Sequence, residues 1–138
     1  MVYVNDSSAT APAAAVHALD VLGQNARRIH IIAGGHDKQT DLTSFADAIA
    51  THNVNTYLLN GSATPIIETM LQERDAEYYG PFENMQSAFA AAQANVQSGD
   101  VLALVPACAS FGMFRNEFDR GDQFRAEVQK LQEIESDV

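Results

Sequence analysis

The sequence contains a single cysteine, Cys108, and no tryptophan. One thiol excludes an internal disulfide and any zinc site built from several cysteines. Positive charge is also scarce. Lys+Arg number 8 against 18 Asp+Glu, a formal net charge of −10. A nucleic-acid partner or an anionic membrane surface needs basic residues to neutralise phosphates, so neither is expected. The acid surplus reads as a solubility device. No apolar run reaches the roughly 20 residues that span a bilayer. The opening MVYVNDSS lacks a basic region followed by an apolar stretch, so it does not read as a signal peptide. His17, His30, His36 and His52 fall in no metal-ligand spacing, and no metal site is expected. Neither GxxxxGK[ST] nor GxGxxG occurs, so no recognisable triphosphate loop is present.

What remains is an ordinary globular composition, 46% hydrophobic and 19% charged over 138 residues, enough for one domain with a real core. Short apolar runs alternate with longer helical ones. Strands are expected at residues 2–4, 29–33, 56–59, 76–79 and 101–105. Helices are expected at residues 10–22, 42–52, from 62 or 64 to about 74, at 84–97 and from about 123 to 135. Gly23 suits the stop of the first helix, Asp41 or Thr40 can cap the second, and Pro65 suits an early turn of the third. This alternation predicts an α/β, Rossmann-like three-layer sandwich. Its mostly parallel sheet has about five to six strands, with helices on both faces. The domain spans residues 2–132, followed by a loose tail at 133–138. The first strand-like run starts directly after Met1, so these residues are expected to be part of a longer chain.

In such a sheet ligands sit beyond the carboxyl ends of the strands. That rule selects residues 5–10, 34–41 and 106–118. The stretch Asn5-Asp6-Ser7-Ser8-Ala9-Thr10 is dense in side-chain oxygens, which either cap a helix or face a ligand. Gly34-Gly35-His36-Asp37-Lys38 allows a tight turn and places a cation before a helix N-terminus. It reads either as a plain turn or as an anion site. Small residues after the most apolar strand, Pro106-Ala107-Cys108-Ala109-Ser110, let backbone amides point outward, with the Ser110 hydroxyl beside them. Cys108 reads as a small buried hydrophobe and not as a nucleophile. Met113, Phe114 and Phe118 read as packing residues. The charge run Arg115, Glu117, Asp119, Arg120 and Asp122 reads as a solvated face that helps order the loop.

Taken together, NDSSAT at 5–10, AGGHDKQTD at 33–41 and VPACASFGMFRNEFDRGDQF at 105–124 resemble the C-terminal domain of the Mur ligases, in the branch that joins D-glutamate to UDP-N-acetylmuramoyl-L-alanine. The resemblance covers essentially the whole chain. It implies a cytoplasmic, monomeric enzyme of peptidoglycan synthesis that uses ATP and Mg2+ to convert an alanine carboxylate into an acyl phosphate. The D-glutamate amine then attacks. Domains for the uridine nucleotide and for ATP would lie outside these residues, so this domain alone is expected to bind no cofactor, contribute no catalytic residue and be inactive.

The resemblance further implies that Thr10, Lys38, Ser110 and the Phe111 amide hold the D-glutamate carboxylates, and that Asn5, Asp6 and Ser8 lie near the nucleotide. The family aromatic that touches substrate falls on Glu117 or, one residue on, Phe118. Phe118 is preferred because Glu117 would set an anion beside an anionic ligand. Two positions depart from the family pattern: Ser8 stands where a lysine is usual, and Gly112 where an aspartate is. Two other readings stand beside this one. One is a domain of a sibling amide ligase, another Mur ligase or a folylpolyglutamate synthetase; the other is a non-catalytic binding module.

Overall fold

The computed structural model describes residues 2–110 and 112–136, with side chains as far as residue 132. The chain alternates as β1 (Val2–Asn5), α1 (Pro12–Leu22), β2 (Ile29–Ala33), α2 (Thr43–Thr51), β3 (Asn55–Leu59), α3 (Thr64–Glu73), β4 (Tyr78–Phe82), α4 (Met85–Asn95), β5 (Val101–Leu104) and α5 (Glu117–Ser136). The strands form one five-stranded sheet in the order β1-β5-β2-β3-β4, every pairing parallel.

Side chains alternate across each strand, and this sorts the core into two layers. Ile29, Ile31 and Ala33 of β2 join Val101, Ala103 and Val105 beneath α1, α2 and α3, where Leu19, Phe45, Ile49, Ile67 and Leu71 pack. Ile32, Leu102 and Leu104 face the other way, onto Phe89 of α4 and Phe124 of α5. Those two rings meet edge to face at 5.6 Å. Burial of Phe124, 2% exposed, contributes about 2 kcal/mol. β2 and β3 are buried on both faces, β2 with a largely apolar sequence and β3 with the polar pair Asn55-Thr56 at its start.

At the amino end of the sheet the second layer contains a polar network. His30, fully buried, sets Nε2 2.9 Å from Asp100 Oδ2 and Nδ1 3.3 Å from the Tyr57 hydroxyl. Arg27 donates to both Asp100 oxygens, at 2.7 and 3.1 Å, and the Gln97 N–H donates to Oδ2 at 3.0 Å. Asp100 therefore arrives in the core with its oxygens occupied, the condition for burying a carboxylate.

Five sequence expectations change. β4 runs to Phe82 and not to Tyr79, passing through Gly80-Pro81. β4 is an edge strand with β3 as its one neighbour, so the N–H that Pro81 lacks costs no ladder bond. α5 begins at Glu117, well before residue 123. Asn116 Oδ1 accepts the Asp119 N–H at 2.8 Å, and Glu117 and Asp119 occupy the positive end of the helix dipole. The charge run is thus the first turns of a helix, not a solvated face throughout, and Arg120 within it is fully buried. Phe118 is not a packing residue, being 72% exposed, whereas Phe114 is buried in the second layer as expected. Finally, the expected loose tail is helical as far as Ser136, and residues 137–138 lie outside the described residues.

Candidate functional site

The three turns leaving the carboxyl ends of β1, β5 and β2 are stitched together by backbone hydrogen bonds. β5 lies between the other two, so its turn can bond to both sides. Asp6 N–H donates to Leu104 O at 3.0 Å, and Ala107 N–H donates to Ala9 O at 2.9 Å. On the other flank Gly34 N–H donates to Pro106 O at 3.0 Å. His36 and Ala109 then form an isolated antiparallel bridge, His36 N to Ala109 O at 2.9 Å and Ala109 N to His36 O at 3.3 Å. Gly35 makes this approach possible. Its φ is +146°, and a Cβ there would meet Ala109 O at 2.3 Å. Glycine at this turn is required by contact as well as by backbone angle.

This stitching joins the turns that carry Thr10, Lys38 and Ser110. Thr10 follows Ala9, Ser110 follows Ala109 and Lys38 is two residues past His36. Thr10 is half-buried, Lys38 exposed and Ser110 buried. Among the described residues, the polar ends of these three side chains enter no hydrogen bond or ion pair. No side chain of the first turn caps α1, whose N-cap is Ala11. Asn5 Oδ1 instead accepts the Ser7 N–H at 3.3 Å, and the Ser8 hydroxyl donates to Asp6 Oδ1 at 3.3 Å. The Lys38 turn is shaped by Asp37, whose N–H donates to Ser62 Oγ at 2.8 Å and whose carboxylate accepts the Gln39 N–H at 2.8 Å. Asp41 accepts the Thr43 N–H at the start of α2, but the N-cap position is Leu42 and not Asp41 or Thr40 as expected.

Cys108 lies beneath this edge, 3% exposed and part of the first core layer. Burial pushes its thiol up to about 11; the positive charge of Arg120 pulls it down, Asp37 pushes it up, and Lys38 pulls it down. A thiol so held is protonated at neutral pH and is no nucleophile.

Two hollows flank the stitched turns. One, of about 490 Å3, is lined by His36, Asn60, Ser62, Glu83 and Met113 among others. The second, of about 220 Å3, is lined by Asn5, Ser7, Ser8, Phe118, Asp122 and Arg125 among others. Phe118 thus lines the same hollow as Asn5 and Ser8. Asn5 itself serves the fold: its Nδ2 donates to Gly121 O at 3.0 Å. Phe111 lies outside the described residues.

The sequence reading left Arg120 and Ser7 without a site role. Arg120 donates from Nε to Ser7 Oγ at 3.0 Å, from Nη1 to Cys108 O at 3.0 Å and from Nη2 to Ser7 O at 2.8 Å. Ser7 Oγ donates in turn to Glu117 O at 2.6 Å. Gly121 lets α5 approach, since a Cβ there would meet the Asn5 side chain at 3.2 Å and Ser7 Cβ at 3.3 Å. The signal was present as Arg120-Gly121 inside the third quoted segment. Among the described residues no cluster of three or more His, Cys, Asp or Glu could hold a metal ion, and no helix is long and apolar enough to cross a membrane.

Comparison with known proteins gives a consistent result. Residues 1–108 match the family described as Mur ligase, glutamate ligase domain. The chain is similar to the UDP-N-acetylmuramoylalanine--D-glutamate ligase of Roseiflexus sp. (strain RS-1), 43% identical over 131 residues, which cover 94% of this chain and 28% of that protein. The ligase of the same name from Desulfotalea psychrophila (strain LSv54 / DSM 12343) is 39% identical over 134 residues, 97% of this chain and 28% of the relative. That from Treponema pallidum (strain Nichols) is 34% identical over 126 residues, 91% of this chain and 23% of the relative. The chain thus spans 23–28% of the length of these relatives. With the parallel α/β sheet, the stitched turns and a matched segment covering most of its length, the chain belongs to the Mur ligase family, as its glutamate ligase domain.

Proposed function

We propose that this chain is the part of a cytoplasmic, ATP-dependent ligase that holds D-glutamate while it is joined to UDP-N-acetylmuramoyl-L-alanine in peptidoglycan synthesis. What supports the reading is the backbone bonding that joins the turns carrying Thr10, Lys38 and Ser110, Ala107 N–H to Ala9 O and His36 N–H to Ala109 O. Two hydroxyls and an ammonium stand there with no protein partner among the described residues. A dicarboxylate needs that combination: a charge-assisted bond from Lys38 and neutral donors for the remaining oxygens. The names of the relatives support D-glutamate as the dicarboxylate.

In such a ligase ATP and Mg2+, bound by residues outside this chain, supply the activation of the alanine carboxylate. The role of this chain is to position the nucleophile. Lys38 anchors one carboxylate, and Thr10 and Ser110 fix the orientation of the molecule, so that the amine faces outward toward the missing half of the site. Holding two reactants in register can lower a barrier by several kcal/mol without any chemical participation. By itself the chain binds D-glutamate weakly as a monomer and turns nothing over.

The test is an NMR titration of the isotope-labelled chain with D-glutamate, L-glutamate and D-alanine. D-Glutamate should shift the amides of Thr10, Lys38 and Ser110 most, and Lys38→Ala should weaken that response at least about tenfold, or about 1.4 kcal/mol. Shifts confined to the hollow around Glu83 or to α4 would overturn the placement.

A further inference from the structure

Arg120 stands out among the charged groups that the proposed receptor does not use. It is the largest fully buried side chain, 0% exposed. Its three hydrogen bonds all go to neutral oxygens: Ser7 Oγ, Ser7 O and Cys108 O. Among the described residues it forms no ion pair. Burial lowers its pKa to about 10, which leaves it a cation at neutral pH. A buried charge is normally matched by an opposite one. Here its direct partners are two carbonyls and a hydroxyl, with the Glu117 carboxylate acting on it only at longer range, in a chain whose acidic residues outnumber its basic ones by 18 to 8.

The two carbonyls that Arg120 holds are informative in position. Ser7 lies three residues before Thr10, and Cys108 lies two residues before Ser110. A guanidinium presents donors in a fixed planar fork, so the two strands of chain are held at a set separation as well as in contact.

We propose that Arg120 is a positioning residue for carboxylate recognition: by clamping Ser7 to Cys108 it fixes the turn of Thr10 relative to the turn of Ser110, and its buried charge raises the potential at the receptor. The proposal rests on the reading of Thr10, Lys38 and Ser110 as that receptor. It divides the work between two cations. Lys38, exposed, meets the ligand directly, while Arg120 acts through the loop and at a distance from beneath. The arrangement also answers how an anionic ligand is drawn to a protein of net charge −10.

The two contributions separate by substitution. Arg120→Lys keeps the charge but offers a point donor that cannot span both carbonyls. Arg120→Gln removes the charge. Ser7→Ala removes one of the three acceptors and leaves the arginine in place. Each variant, with its fold checked by far-UV circular dichroism and amide dispersion, is titrated with D-glutamate and with D-glutamine, which lacks one carboxylate. Arg120→Lys should bind both ligands at least about tenfold more weakly with their ratio unchanged. Arg120→Gln should weaken D-glutamate more than D-glutamine, which a purely structural role would not do. Ser7→Ala should weaken both about threefold and keeps the test open if a substitution at Arg120 unfolds the chain. If the unaltered chain shows no D-glutamate response at Thr10, Lys38 and Ser110, the receptor reading falls and this proposal with it. If the chain responds and the folded variants bind with unchanged affinity and ratio, the role of Arg120 alone is overturned.

Discussion

Gly35→Ala tests whether the stitched turns hold the working edge together. An added Cβ would stand 2.3 Å from Ala109 O, whereas ordinary contact begins near 3.4 Å, so that carbonyl must withdraw by about 1 Å. The bond it accepts from His36 N–H, 2.9 Å now, then passes out of range. The return bond from Ala109 N–H is already 3.3 Å and goes with it. Each bond is worth about 1 kcal/mol at such an edge. Alanine at a φ of +146° adds at least about 1 kcal/mol of backbone strain. The total is about 3 kcal/mol, less than the 5–15 kcal/mol that typically stabilises a domain, so the variant should fold.

With an m-value of about 1.5 kcal/mol per M, its urea midpoint should drop by about 2 M. The chain has no tryptophan, so far-UV circular dichroism is the suitable probe. Gly99→Ala is the control: its φ is +88°, but the nearest atom to an added Cβ is Arg27 Cβ at 3.5 Å. It carries strain without collision and should lose only about 0.7 M. Equal losses in the two variants, or a Gly35→Ala midpoint within about 0.3 M of the parent, would refute the stitching argument.

Asp100 should shape the acid limb of the stability curve. Burial raises its pKa, but the Gln97 N–H, Arg27 and His30 together outweigh this and hold it below the ordinary 3.8. Its contribution is therefore complete above that ordinary value and is lost as pH falls through the lower folded one. Asp100→Asn should be less stable at pH 7 and show a flatter decline below pH ~4 in acid unfolding; an unchanged slope would count against it. Thr56→Val should be neutral or stabilising by up to about 1 kcal/mol in urea unfolding, because the buried Thr56 Oγ1 has no hydrogen-bond partner. A loss of more than about 1 kcal/mol would mean that the hydroxyl is satisfied after all.

The elements that sequence placed well are those whose pattern is set by burial alone. Residues 29–33 read as a buried strand because five apolar or aligned side chains sit between glycines and arginines, and β2 occupies that span with every residue buried. Alternation of such strands with helices is enough to imply a parallel sheet, and the rule about carboxyl ends then found the three turns. The misplaced boundaries have local causes. Pro81 argues against a strand only when both edges of that strand are paired, and pairing is a property of topology that a local reading cannot see. The start of α5 was signalled by Asn116 with Glu117 and Asp119 after it, but the charge run of Arg115, Glu117, Asp119, Arg120 and Asp122 outweighed that cap.

Thr10 and Ser110 illustrate a different limit. That their turns are joined follows from strand order, and strand order here is not sequence order: β5, last in the chain, inserts between β1 and β2. Nothing in the spacing of residues 10 and 110 implies it. Arg120 is the sharper case. A side chain at that position of an amphipathic helix would ordinarily be read as solvent-facing, since charge is the usual mark of exposure. It is buried because Ser7 and Cys108 present carbonyl oxygens that β1 and β5 leave pointing into the same gap, and a guanidinium is the group able to satisfy both while holding them apart. The residue is thus intelligible only after the turns have been brought together, and it is also what keeps them together. A charged residue whose burial depends on tertiary partners and which in turn fixes those partners cannot be found by periodicity. It becomes visible only once the oxygens of Ser7 and Cys108 that it satisfies are in place.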